Sequence, residues 1–111
     1  MPLPIPPPID DAPTHHARGR KFLQEDHYTE AIEELTKAIQ LNPVLAQAYN
    51  ARGFAYFKLK QYSKAISDLD QAIRLYPGYA NAYVNRAATK RAAGDRAGAE
   101  ADQARARQLT K

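Results

Sequence analysis

The chain contains no cysteine. That removes disulfides, thiolate nucleophiles and cysteine-based zinc sites, and it leaves the compartment open. No apolar run approaches the roughly 20 residues that a membrane-spanning helix needs, so no membrane partner is expected. Serine is scarce: only Ser63 and Ser67 occur, and no histidine is placed to activate either one as a nucleophile. The histidines are His15, His16 and His27. The first two are adjacent and diverge on a helix, so the three make no metal spacing. There is no glycine-rich phosphate loop. The N-terminus MPLPIPPPIDD lacks a basic segment and is broken by prolines, which makes it a poor secretory signal. No enzyme activity and no cofactor are therefore expected, and the cytoplasm is the default location.

The 111 residues suit one domain of ordinary size, and 44% hydrophobic with 25% charged residues is the composition of a soluble globular chain. The net charge of +4 is unevenly spread. Residues 1–11 carry −2, residues 12–45 carry −1, residues 46–79 carry +3 and residues 80–111 carry +4. This favours an acidic partner surface but is too modest to imply nucleic acid by itself.

Shifting the sequence by 34 residues superimposes it on itself. Arg18 falls on Arg52 and Arg86, Ala31 on Ala65 and Ala99, Ala38 on Ala72 and Ala106, and Leu41 on Leu75 and Leu109. Gly19 falls on Gly53, Tyr28 on Tyr62 and Pro43 on Pro77. A fixed period of this length marks a repeat architecture. In residues 46–79, Tyr49, Gly53, Tyr56 and Leu59 keep one helical stripe, and Ala65, Ile66, Leu69, Ala72 and Ile73 a second. Lys60-Gln61 separate them, Ser63 reads as an N-cap, and Pro77-Gly78 stop the second helix. Gly53 and Ala65 let the two helices approach closely. Six helices are predicted, at 13–26, 29–41, 46–59, 63–75, 80–93 and 96–109.

Tyr49, Arg52, Gly53, Tyr56, Ala65, Leu69, Ala72 and Pro77 together resemble the tetratricopeptide repeat. The first unit departs from the pattern with His15 for the leading aromatic, and the third with Ala87 for the glycine and Lys90 for the second aromatic. The resemblance implies an all-α, right-handed α-solenoid of three antiparallel helix pairs. The repeats would span 12–45, 46–79 and 80–111, after an extended proline-rich leader at 1–11.

Both ends carry further expectations. In the third unit Glu100 stands where Ile32 and Ile66 stand, Gln103 where Leu35 and Leu69 stand, and Arg107 where Ile39 and Ile73 stand. Such a polar face is what closes a solenoid, and it leaves Ala99, Ala106 and Leu109 as the main apolar contacts of the last helix. That helix is expected to fray first. The alternative is a third unit that is simply divergent. At the other end PLPIPPP favours polyproline II. Leu3, Ile5 and Ile9 are then candidates to cover the first helix or to enter a groove of this molecule or a neighbour; a disordered leader is the competing reading.

The resemblance further implies a peptide-binding concave surface, lined by the first helix of each pair. Its places here are His16, Arg20, Leu23, Asn50, Phe54, Phe57, Lys58, Asn81, Val84, Asn85 and Arg91. Asparagines there can both donate to and accept from a peptide backbone, the phenylalanines offer apolar anchors, and the cations can pair with carboxylates. Family members that hold chaperone C-terminal carboxylates use two lysines, two asparagines and an arginine. Those places hold His16, Arg20, Ala51, Asn81 and Asn85, none of which matches, so that partner class is not expected, while a different acidic peptide stays open. His15 reads as a buried core residue, and Glu30, Glu33 and Glu34 as a solvated acidic face. The function expected is a scaffold or adaptor that binds a protein or peptide, with acidic character favoured. Two alternatives stand: polyanion binding through the basic third unit (Arg86, Lys90, Arg91, Arg96, Arg105, Arg107 and Lys111), and self-assembly through Tyr76, Tyr79 and the leader.

Overall fold

The 34-residue period reappears in the backbone as three left-handed residues. Asp26, Lys60 and Gly94 have φ of 59°, 62° and 94°. Each ends the first helix of a pair in the computed structural model of the chain, which describes residues 1–5 and 10–111. The helices are α1 (Ala12–Gln24), α2 (Tyr28–Leu41), α3 (Ala46–Lys58), α4 (Tyr62–Leu75), α5 (Ala80–Ala92) and α6 (Arg96–Leu109). No strand occurs among the described residues. The expected boundaries differ from these by two residues at most.

The difference is largest at the end of α1, and the left-handed residue explains it. The His27 N–H donates to the Phe22 carbonyl at 2.8 Å and the Asp26 N–H to the Leu23 carbonyl at 3.1 Å. This pair of bonds reverses the chain and satisfies carbonyls that the ended helix leaves open. Gln61 to Tyr56 (2.9 Å) and Asp95 to Lys90 (2.8 Å) repeat it. The start of the following helix, α4, is a separate matter. Gln61 is the boundary residue there, no side chain caps the helix, and Ser63 lies inside α4 rather than capping it. Only α1 and α6 have side-chain caps, from Asp11 to the Thr14 N–H and from Asp95 to the Gly98 N–H, both at 2.9 Å.

Within each pair the helices are antiparallel and packed closely. Gly19 and Gly53 are the contact points. A Cβ built on Gly53 would stand 2.9 Å from Leu69 Cγ and 3.2 Å from the Ala65 carbonyl oxygen; one on Gly19 would stand 2.6 Å from Leu35 Cγ. The corresponding pair in the third repeat is Ala87 and Gln103, so the extra methyl arrives where the leucine has gone. Between pairs, Ala31, Leu35, Ala38 and Ala48 form one buried cluster with Phe22, Leu23 and Leu45 against it, and Leu69, Ala72 and Ala82 form the next with Tyr49, Ile73 and Tyr79. Every second helix packs on the following first helix. In addition α1 touches α3 and α3 touches α5, whereas α2, α4 and α6 do not touch one another. The first helices therefore line the tighter, concave side.

At the N-terminal end the structure departs from one expectation above. Leu3 and Ile5 are 90% and 93% exposed, so neither covers α1; Ile9 and residues 6–8 of the polyproline stretch lie outside the described residues. On α6, Ala99 and Ala106 are buried and Leu109 half-buried, while Glu100 and Arg107 face solvent. The thin apolar contact is supplemented by polar ties, described below.

Two substitutions separate these constraints. Gly53→Ala gains about 1 kcal/mol of helix propensity but overpacks against Leu69 and the Ala65 carbonyl by about 2 kcal/mol. A net loss of about 1 kcal/mol in urea unfolding is expected. Lys60→Gly relieves a non-glycine residue of the left-handed conformation and should raise stability by about 1 kcal/mol; an unchanged midpoint would show that the turn costs nothing.

Candidate functional site

The concave face is organised by asparagines from two repeats. Asn50 on α3 is buried, at 7% exposure, among partners on α5 and at the residue just before it. Its Nδ2 donates to Asn81 Oδ1 at 2.9 Å and to Tyr79 Oη at 3.2 Å. Asn85 Nδ2, one turn along α5 from Asn81, donates to Asn50 Oδ1 at 2.9 Å and to Asn81 Oδ1 at 3.2 Å. Both lone pairs of Asn81 Oδ1 are thereby taken. No buried side-chain polar atom among the described residues lacks a partner.

These residues wall a trough of about 440 Å³ lined by His16, Arg20 and Leu23 of α1, Gln47, Asn50, Ala51 and Phe54 of α3, and Tyr79, Asn81 and Asn85. Seven of the eleven expected groove residues line it: His16, Arg20, Leu23, Asn50, Phe54, Asn81 and Asn85. The other four do not. Phe57 lies between Phe54 and Tyr62, with ring centroids 6.4 and 6.3 Å away, and so helps pack the hairpin. Lys58 places its Nζ 5.9 Å from the Phe54 ring centroid. Arg91 donates to Gln103 Oε1 at 3.0 Å, which ties it to α6. Val84 is exposed outside the trough. Gln47, Ala51 and Tyr79 line it without being among the expected groove residues. Gln47 was findable, three residues before Asn50 on the same stripe; Tyr79 precedes α5, where helical periodicity gives no signal.

The hydrogen-bonding capacity left facing the trough is weighted to donors. The Arg20 fork has no partner among the described residues, and the Asn81 amide hydrogens and the Tyr79 hydroxyl hydrogen are likewise unspent. Against them stand Asn85 Oδ1 and Gln47, which offers both kinds of group. Burial, and then the Arg20 charge, lower the His16 pKa, so that imidazole is neutral near pH 7.

Outside the trough a second polar system links the repeats. Arg52 clasps Asp68 with Nε and Nη2, both at 2.8 Å, and donates to Thr36 Oγ1 of the preceding repeat at 3.1 Å. Arg86 repeats this with Asp102 at 2.8 and 2.7 Å and with Asp70 at 2.9 Å. Lys90 adds a 3.1 Å contact to Asp102. Two of the basic residues of the third repeat are thus committed inside the fold, which weakens the case for a polyanion track. The first repeat is wired differently. His15 is buried as expected, and its Nδ1 meets Glu34 Oε2 at 2.6 Å. Glu34 is therefore not part of a solvated face; Glu33 remains exposed, and Glu30 meets His27 at 3.0 Å. Arg18 turns to Asp10 of the leader at 3.1 Å.

Ser63 and Ser67 are exposed on α4. No cluster among the described residues could hold a metal, and no helix is long and apolar enough to cross a membrane.

The model described as "TPR repeat" matches residues 19–60, and that described as "Tetratricopeptide repeat" matches residues 46–79. A comparison with curated protein sequences gives no match. Solved structures do match. The first TPR of Spaghetti (RPAP3), bound to the HSP90 peptide SRMEEVD, is 31% identical, with a TM-score of 0.87 over 90% of this chain and 79% of that one. The second TPR domain of human RPAP3, in complex with the HSP70 peptide SGPTIEEVD, is 31% identical, with a TM-score of 0.84 over 88% and 82%. The TPR2B domain of yeast Sti1, in a pHsp70 complex, is 26% identical, with a TM-score of 0.86 over 88% and 78%.

The Asp102 ties generate a prediction. Burial pushes its carboxyl pKa up, but the hydrogen bonds from Arg86 and Lys90 outweigh this and hold it below the ordinary 3.8. Its contribution to stability is therefore complete above about pH 4 and is lost as pH falls through the lower folded value. Asp102→Asn should lower stability at pH 7 by about 3 kcal/mol, because it leaves the half-buried Arg86 without its main partner. It should also flatten the acid limb of the stability–pH curve below pH 4. An unchanged acid limb in denaturant titrations would rule the carboxylate out as its source.

The repeat register, the helix-pair packing and these similarities agree: the chain belongs to the tetratricopeptide repeat family.

Proposed function

We propose that this protein is an interaction module that binds an extended, acceptor-rich peptide segment in the concave trough and serves as a scaffold or adaptor. The observation that carries the reading is the donor surplus of the trough, set beside the apolar surfaces of Leu23, Ala51 and Phe54. A peptide strand laid there offers carbonyl oxygens to Arg20, Asn81 and Tyr79 and an apolar side chain to Phe54. Buried aromatic and arginine anchors commonly carry much of such affinity.

The relatives support a peptide as the partner, since the SRMEEVD and SGPTIEEVD ligands of the RPAP3 domains are acidic and acceptor-rich. The recognition differs in detail. The places that would hold two lysines, two asparagines and an arginine carry His16, Arg20, Ala51, Asn81 and Asn85. With His16 neutral, Arg20 is the one cation lining the trough. Acceptors are therefore favoured over high negative charge.

Binders captured from cell extract and titrated by calorimetry test this. Phe54→Ala should weaken binding by about 30-fold, the order expected for losing a buried aromatic anchor worth about 2 kcal/mol. Arg20→Gln should weaken it less and reduce its salt dependence, because exposed charges interact over a Debye length of about 8–10 Å. Undiminished affinity in both variants would remove the trough from the binding surface.

A further inference from the structure

The chain itself carries a segment with the chemistry that the trough lacks. Residues 1–8 read MPLPIPPP. Prolines 2, 4, 6, 7 and 8 have no N–H, while every residue keeps its carbonyl, so the segment is rich in acceptors and poor in donors. Its side chains are apolar throughout. Leu3 and Ile5 stand 90% and 93% exposed, the state of apolar groups with no surface to cover. The trough offers the complement: a donor surplus from Arg20, Asn81 and Tyr79, and apolar walls from Leu23 and Phe54. Proline-rich segments dock on aromatic-lined grooves in this way, with little ordering entropy to lose.

The point where the leader leaves the domain decides whose trough it reaches. Asp10 is held by Arg18 at 3.1 Å. Arg18 lies two residues from both His16 and Arg20, roughly 200° around the helix at about 100° per residue. It lines a different cavity, with Lys21, Phe22, Glu25 and Glu34. Asp10, where the leader joins the domain, thus sits on the face of α1 turned away from its own trough. The trough of a second copy has no such helix in the way.

We infer that two copies of this chain associate by exchanging leaders, with Leu3 and Ile5 of each seated in the trough of the other. Reciprocal exchange closes as a symmetric dimer. The inference rests on the trough reading above and adds its occupant. The dimer also screens the trough, so an external peptide competes with the leader for it.

Sedimentation of the full-length chain over a hundred-fold concentration range tests this. The wild type should convert from monomer to dimer, and Leu3→Ser with Ile5→Ser, or Phe54→Ala alone, should shift the midpoint at least ten-fold upward. Circular dichroism checks that each variant is folded. A mixture of the leader variant and the Phe54→Ala variant restores one intact seat and should dimerise more readily than either alone. A fluorescently labelled peptide of residues 1–9 should bind the leader variant more tightly than the wild type. A wild type that stays monomeric overturns the exchange, even if that peptide binds, because the leader would then occupy its own trough or none. Dimerisation indifferent to both sets of variants overturns it as well. If association fails while extract-derived peptides still require Phe54, the exchange falls and the peptide-binding function stands.

Discussion

The geometry of the array depends on an arginine clasp repeated along it. Arg52 and Arg86 each grip an aspartate on the second helix of their own pair and reach an oxygen on the second helix of the pair before. One planar fork thereby sets both the closure of a hairpin and its stacking on its predecessor. Arginine suits this task because its donors lie in a fixed plane, and aromatic faces add to it: Tyr49 and Tyr56 lie 5.9 Å from the Arg52 guanidinium carbon, and Tyr83 lies 5.4 Å from that of Arg86. With its donors satisfied and a carboxylate opposite, a half-buried guanidinium is held in one arrangement, because any other would leave it unpaired.

The first repeat is wired differently. His15 takes the place of the tyrosine and claims Glu34, the residue that corresponds to Asp68 and Asp102. Arg18 then finds Asp10 in the leader, where Arg52 and Arg86 reach the second helix of the preceding pair. The same substitution that breaks the repeat pattern thus leaves Arg18 to hold the domain-proximal end of the leader. At the other end, polar ties from Arg86, Lys90 and Arg91 to α6 supplement the apolar contact that Gln103 and Arg107 no longer provide.

The stacking in turn shapes the trough. Asn50 is buried only because α5 lies beside α3, and it is satisfied only because Asn81 and Asn85 arrive one turn apart on that neighbour. Their mutual bonds consume acceptors and leave donors, so the chemical preference of the trough arises from how the asparagines pair and not from their number. Acidic peptides and proline-rich ones both meet that preference, so under the proposals above an external ligand and the chain's own leader compete for one surface.

Helix number, helix ends within two residues, the close approach at Gly53 and the polar face of α6 were all legible in the sequence, because each is a local or strictly periodic property. Seven trough residues were legible for the same reason: they lie on stripes of three first helices. The rest was not. Phe57 and Arg91 share the helix with trough residues but turn to Tyr62 and Gln103, partners on the second helix of their own pair. Glu34 reads as solvated until folding brings His15 against it, 19 residues away. Period and capping chemistry act between neighbours in the chain, so the sequence by itself determined the repeat and its hairpins. Which donors remain unspent, and which arginine holds which acid, depend on side chains 8 to 35 residues apart meeting at hydrogen-bonding distance, and only the tertiary structure decided those.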